Sequence, residues 1–260
     1  MRLLFIRHGD PDYIHDTLTE KGRREARLLA DRIGDFGIDD IYQSPLGRAR
    51  DTAAYSLAAL GRTAVTLDWL EEFPAKFDPN RAPAAARAFR TELRKDPLTG
   101  RYEQRGVWDI LPAYAAVYPE LFDRSAWRDT ELVRASDTCA RYDTVTAAFD
   151  GLLRQYGYVR EGDYYRVEKG SSRVIAFFCH FGISAVLLSR LWNVSPFVTL
   201  QNLCMAPTSV TEIVTEEREQ GTAAFRTLRT GDISHLTIAG EPPSFSARFC
   251  ERFENADERH

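Results

Sequence analysis

Residues 2–9 read RLLFIRHG. The run Leu3–Ile6 offers no polar side chain to turn toward solvent, as expected of a strand buried on both faces. It breaks at once into Arg7, His8 and Gly9, so two nitrogen-bearing side chains and a glycine stand at the carboxyl end of a strand. In open α/β sheets, ligands bind at that end.

Working outward, the pattern changes period after Thr19. Ala26, Leu29, Ala30 and Ile33 fall at helical spacing, with Thr19 as the expected N-cap and Gly34 or Gly37 as the stop. IDDIYQS (38–44) predicts a second strand ending at Ser44-Pro45. GRARDTAAYSLAAL (47–60) predicts a helix with Ser44 near its start and Gly61 beyond it. TAVTLDWL (63–70) reads as a third strand. RVIAFFC (173–179) is the clearest buried strand in the chain, and a helix follows from Gly182 to Trp192. A helix is also expected from Ser136 to about Tyr156. Two late strands, 208–216 and 223–230, are expected to form a hairpin through Gly221.

Residues 73–136 differ from the rest. They carry Pro74, Pro79, Pro83, Pro97, Pro112 and Pro119, and the aromatics Tyr102, Trp108, Tyr114, Tyr118, Phe122 and Trp127. They predict a helical, cap-like insertion within a single domain spanning 1–260. Residues 241–260 are polar and expected to be weakly ordered. Strands alternating with helices predict a three-layer α/β/α sandwich with a mostly parallel central sheet.

The 260-residue chain is 44% hydrophobic and 28% charged, so it can bury a large core without disulfides or metals. Its formal net charge of −4 argues against a nucleic-acid partner, which draws on a basic excess. Cys139, Cys179, Cys204 and Cys250 show no CxxC spacing and are expected as reduced, packed thiols. The N-terminal apolar run is too short for a signal peptide, and no stretch approaches the ~18 residues of a membrane span. The sequence predicts a cytosolic protein without a membrane partner. A homodimer is compatible with it.

Three strand ends carry the chemistry: Arg7-His8-Gly9, Ser44-Pro45-Leu46-Gly47-Arg48 and His180-Phe181-Gly182. An acidic protein that gathers two arginines and two histidines in one place is equipped to hold an anion. Phosphate suits the set, because the guanidinium fork matches phosphate oxygens and helix N-termini add backbone donors. No DxD, HxxxH or HExxH cluster offers metal ligands. Neither a metal nor another cofactor is therefore expected.

These residues resemble the histidine phosphatase superfamily, also called the phosphoglycerate mutase-like family. The resemblance rests on LLFIRHGDPDY (3–13), LTEKGRREA (18–26), SPLGRARDTA (44–53), LEEF (70–73), VIAFFCHFG (174–182) and GDISHL (231–236). It implies a phosphoglycerate mutase-like fold and the hydrolysis of a small phosphorylated molecule. It implies that His8 is the nucleophile, held by a backbone carbonyl on its other ring nitrogen. It implies that Arg7, Arg48 and His180 grip the phosphoryl oxygens. Glu72 matches the family's proton donor, with the adjacent Glu71 and Asp10 as competitors.

Two departures from the family bear on function. Phe181 interrupts the usual His-Gly-Gly, placing a ring near the pocket. Glu72 is followed by Phe73-Pro74-Ala75-Lys76 where mutases show Arg-Tyr-Gly, which favours hydrolysis over phosphate transfer. A mutase and a non-catalytic phospholigand-binding protein are the two rival functions. His15 and His235 are expected to be exposed and structural, respectively. Cys179, beside His180 on a buried strand, is expected to face the core. Thr208 and Ser209 are expected to start a strand, and Arg23, Arg24 and Arg27 to form a solvated helix face.

Overall fold

The computed structural model describes residues 1–89, 93–246, 252, 254 and 255. In chain order the elements begin with β1 (Arg2–Arg7), β2 (Pro11–Asp12), β3 (Thr17–Leu18), α1 (Glu20–Ala30), β4 (Asp40–Gln43), α2 (Gly47–Leu60) and β5 (Val65–Thr66). They continue with β6 (Lys76–Phe77), β7 (Arg105–Gly106), α3 (Pro112–Val117), α4 (Glu131–Arg134) and α5 (Thr138–Gln155). Next come β8 (Tyr158–Glu161), β9 (Tyr164–Val167), β10 (Val174–Cys179), α6 (Phe181–Trp192) and α7 (Pro196–Asn202). β11 (Val210–Glu219), β12 (Thr222–Asp232) and α8 (Ser234–Ala239) follow. The chain divides into two compact units, one of 1–72, 156–184 and 204–260, the other of 73–155 and 185–203.

The first unit holds an eight-stranded sheet in the order β5-β4-β10-β1-β11-β12-β9-β8. β1 lies beside β10, which lies beside β4, then β5, all parallel. On its other side β1 meets β11, and from there every pair is antiparallel. The sheet is thus mixed, where the sequence predicts a mostly parallel one. Two-residue turns, which can join only antiparallel strands, make the β8–β9 and β11–β12 pairs, while β1–β11 and β12–β9 are antiparallel pairs of strands distant in sequence. The β8–β9 hairpin was not anticipated, because its four-residue strands mix buried tyrosine and valine with charged residues and show no continuous apolar run.

Both faces of the central strands are buried. Leu4, Ile6, Ala176 and Phe178 pack with Leu29 of α1, Ile33 and Ala53 of α2. On the opposite face Phe5 stacks on Phe177 at 5.2 Å, and Tyr42 on Phe177 at 5.6 Å. The fully buried Phe5 and Phe177 rings each contribute on the order of 2–3 kcal/mol by removal of apolar surface from water. Thr19 caps α1 by accepting from Gly22 N–H at 3.0 Å, as expected. That helix stops earlier than predicted, at Ala30, and Gly37 (φ 62°) instead ends a short turn over Ile33–Phe36. The predicted third strand shrinks to Val65–Thr66 before a single turn of 3₁₀ helix at Asp68–Leu70.

The second unit is organised around the 18-residue α5. Trp127 is buried edge-on to Tyr142 at 5.3 Å and to Phe197 at 6.1 Å. Ser195 Oγ donates to Leu121 O at 2.6 Å. The described residues of 73–136 form short turns and helices, because proline repeatedly opens a new one, as at Pro83, Pro112 and Pro119. No helix among the described residues is long and apolar enough to cross a membrane. The expectation for 241–260 falls mainly on positions outside the described residues, as does Cys250.

Candidate active site

β1 and β10 run in register side by side, with Arg7 opposite Cys179. The register brings His8 and His180, one residue further on, to ring centroids 5.1 Å apart. Ser44 N–H donates to Phe178 O at 2.9 Å, so the end of β4 reaches the same level. Three strand ends thereby converge, and all five predicted site residues lie in the first unit.

His8 is 1% exposed. Its Nδ1 stands 2.7 Å from Gly9 O. A carbonyl oxygen only accepts, so Nδ1 carries the proton and Nε2 keeps its lone pair. Burial, reinforced by the charges of Arg7 and Arg48, pushes the imidazole down to about 3. At neutral pH His8 is therefore an uncharged ring with one fixed tautomer, the form a nucleophilic nitrogen needs.

His180 is fully buried, its Nε2 2.7 Å from Ser44 Oγ. Ser44 Oγ also accepts from Leu46 N–H at 3.2 Å. The pairing that satisfies both groups has the hydroxyl donating to Nε2, which leaves the proton on Nδ1. Nδ1 is buried without a hydrogen-bond partner. His180 is held well below the ordinary histidine value, first by burial and then by repulsion from His8, Arg48 and Arg7. At neutral pH it is an uncharged ring.

Arg7 and Arg48 supply positive charge without matching anions at every edge. Arg7 Nη1 donates to the carbonyls of Met205 at 2.6 Å and Ser246 at 2.9 Å, while its Nε is buried with no partner. Desolvation holds its pKa below the usual guanidinium value, partly offset by nearby Tyr13 and Glu72. Arg48, in the first turn of α2, donates from Nη1 to Asp16 Oδ1 at 2.6 Å, and its Nε is likewise without a partner. Tyr13 lies under its guanidinium, 5.4 Å from ring centroid to Cζ.

The competing carboxylates separate. Glu72 Oε1 accepts from Ile183 N–H at 3.1 Å, at the N-terminus of α6 beside His180. Asp10 accepts from Thr19 Oγ1 and from Ser246 Oγ, each at 2.7 Å, so it braces the loop. His15 is exposed and paired with Asp12 at 2.7 Å. His235 is buried at 2.9 Å from Thr208 Oγ1, and burial lowers it to about 4. The Cys179 thiol is fully buried, and burial raises it to about 12, as expected of a core thiol.

Four contributors were not foreseen: Tyr13, Asp16, Glu25 and Thr52. Thr52 Oγ1 donates to Arg48 O at 2.8 Å and accepts from Gly9 N–H at 2.9 Å. Glu25 is buried on α1 with Gly22, Ala26 and Leu29. A charge on that apolar stripe was the available signal. Gly22 packs so closely that a Cβ there would meet Asp10 O at 2.2 Å. Among the described residues no group of three or more His, Cys, Asp or Glu is placed to hold a metal ion.

A neutral, tautomer-locked histidine lies with two arginines and a second histidine at the carboxyl edge of an α/β sheet, an arrangement suited to an anion. Residues 3–96 match the model of the Histidine phosphatase superfamily (branch 1). The chain is 24% identical over 250 residues to a probable phosphatase of Schizosaccharomyces pombe, covering 91% of this chain and 95% of that protein. Its fold is shared with a variant of Entamoeba histolytica phosphoserine phosphatase solved with phosphoserine (16% identity, 90% and 98% coverage, TM-score 0.54). It is shared too with mycobacterial glucosyl-3-phosphoglycerate phosphatase bound to inorganic phosphate (19% identity, 90% and 98% coverage, TM-score 0.53).

Proposed function

We propose that this protein hydrolyses phosphomonoesters of small molecules in the cytosol through a phosphohistidine on His8. The carrying observation is the bond from His8 Nδ1 to Gly9 O, which leaves Nε2 free and neutral. Nε2 attacks phosphorus in line and the bond to the ester oxygen breaks. Glu72, protonated, gives its proton to the departing alkoxide. Arg7, Arg48 and the Nδ1–H of His180 stabilise the equatorial oxygens, each such donor being worth on the order of 3 kcal/mol. Water then attacks phosphorus, Glu72 takes its proton, and orthophosphate leaves with His8 restored. The segment after Glu72, Phe73-Pro74-Ala75-Lys76, supports hydrolysis over phosphate transfer between two sites.

The test is turnover of a phosphomonoester panel by the purified chain in the presence of a chelator. Wild type should release orthophosphate, and His8→Ala should lose at least about 1,000-fold in kcat, as expected for removal of a nucleophile. A brief pulse with labelled substrate should leave an acid-labile, base-stable phosphoryl group on the protein. Equal turnover by wild type and His8→Ala would end this proposal.

A further inference from the structure

Arg7 owes its orientation to a segment far away in sequence. Both hydrogens of its Nη1 are used, on Met205 O and on Ser246 O, while its Nε is buried without a hydrogen-bond partner. Ser246 is itself tethered, its Oγ donating to Asp10 Oδ1 at 2.7 Å. Two residues earlier, Ser244 N–H donates to Glu25 Oε1 at 3.0 Å, and Glu25 Oε2 accepts from Asp10 N–H at 2.9 Å. The bonds close a ring from Arg7 through Ser246, Asp10, Glu25 and Ser244.

Glu25 is the unexpected member. It is 0% exposed on the apolar stripe of α1, and both its hydrogen bonds come from backbone N–H groups. A buried carboxylate is costly where an apolar side chain would pack. Burial raises it to about 7 despite those two bonds. What it provides in return is a rigid two-point link between the loop after His8 and the segment that holds Arg7.

We propose that Glu25 and Ser246 are positioning residues: they clamp Ser244–Ser246 onto the nucleophile loop and so fix which edge of Arg7 faces the phosphoryl group. The proposal rests on the phosphatase function above. Preorganised donors gain over mobile ones because no reorganisation is needed as charge develops. Neither residue touches the phosphoryl group.

The full-length chain carrying Ser246→Ala, Ser246→Thr or Glu25→Gln tests the clamp. Gln keeps the volume of Glu25 but turns an amide N–H toward one backbone donor, breaking one of its two links. Orthophosphate affinity by calorimetry, and kcat and KM with p-nitrophenyl phosphate, are the readouts. Ser246→Ala and Glu25→Gln should each raise the orthophosphate Kd and the KM at least about fivefold, the scale of one weakened charge-assisted hydrogen bond. kcat should fall less than KM rises, and Ser246→Thr, which keeps the hydroxyl, should restore the Kd. Should Glu25→Gln fail to fold, the two Ser246 variants decide alone. Orthophosphate affinity within about twofold of wild type in Ser246→Ala, or the same loss in Ser246→Thr, overturns the clamp. Wild type that binds orthophosphate without turnover defeats the phosphatase function while the Kd values still judge the clamp. Wild type that binds none defeats both.

Discussion

The Asp16 carboxylate binds Arg48 Nη1 at 2.6 Å with one oxygen and Gly47 N–H at 2.6 Å with the other. Asp16 sits in the left-handed region (φ 49°), and a Cβ on Gly47 would meet its carbonyl oxygen at 2.1 Å. The close approach explains the glycine at the start of α2. It also makes Asp16 a mooring for Arg48, the arginine proposed to grip the phosphoryl group. Asp16→Ala should raise the KM for p-nitrophenyl phosphate about threefold to tenfold through loss of that orientation. Stability should change by less than ~1 kcal/mol, because the carboxylate is substantially exposed. An unchanged KM would show that Arg48 holds its place without Asp16.

His8 and His180 should be silent in a histidine titration. Burial pushes His8 to about 3 and His180 well below its ordinary value. Their ring carbon resonances should stay fixed between about pH 5 and pH 8, whereas an ordinary histidine titrates near about 6.5. Movement of the His8 signal through that range would contradict a permanently neutral nucleophile.

Stability should fall as the solution is acidified below neutrality. His8, His180 and His235 are all held below the unfolded value, His235 to about 4, so below about pH 6.5 the unfolded chain binds three protons that the folded chain refuses. Each refused proton costs up to about 1.4 kcal/mol per pH unit. Glu25 acts in the opposite sense, since its raised value of about 7 makes the folded chain hold a proton that the unfolded chain releases above about pH 4.5. Two protons' worth remains, so stability should drop by roughly 2–3 kcal/mol per pH unit between about pH 6 and pH 5. Urea midpoints measured across that range check the slope, and a flat series would refute it.

Thr52→Val should damage both fold and chemistry. The valine is nearly isosteric but leaves Gly9 N–H buried without an acceptor, at a cost of about 1–3 kcal/mol. Because Gly9 also supplies the carbonyl that locks His8, kcat should fall along with stability. Urea unfolding and steady-state kinetics on the same preparation separate the two losses. A valine variant with wild-type stability would show that Gly9 N–H finds another partner.

Much of this was legible in order along the chain. β10 is buried at every position from Val174 to Cys179, matching an unbroken apolar run. α2 spans Gly47–Leu60 with Gly61 at φ 63°, where a helix of that composition followed by glycine should end. The β11–β12 hairpin turns at Gly221 with φ 85°. The β8–β9 hairpin escaped notice because neither strand carries an apolar pattern of its own.

Local pattern alone determined that Arg7, His8 and His180 would stand at strand ends and Arg48 at the start of the helix after the second strand, since an apolar run that breaks into polar residues marks its own boundary. Tertiary structure alone decided how those side chains are held. The two oxygens of Asp16 reach residues 31 and 32 positions away, and Arg7 is bound by the carbonyl of Ser246, 239 positions away. Such contacts leave no periodic trace, because they depend on where separate segments meet and not on the repeat within any one of them. The same holds for Glu25, whose charge was visible but whose partners, Asp10 and Ser244, become neighbours only once the chain has closed around it.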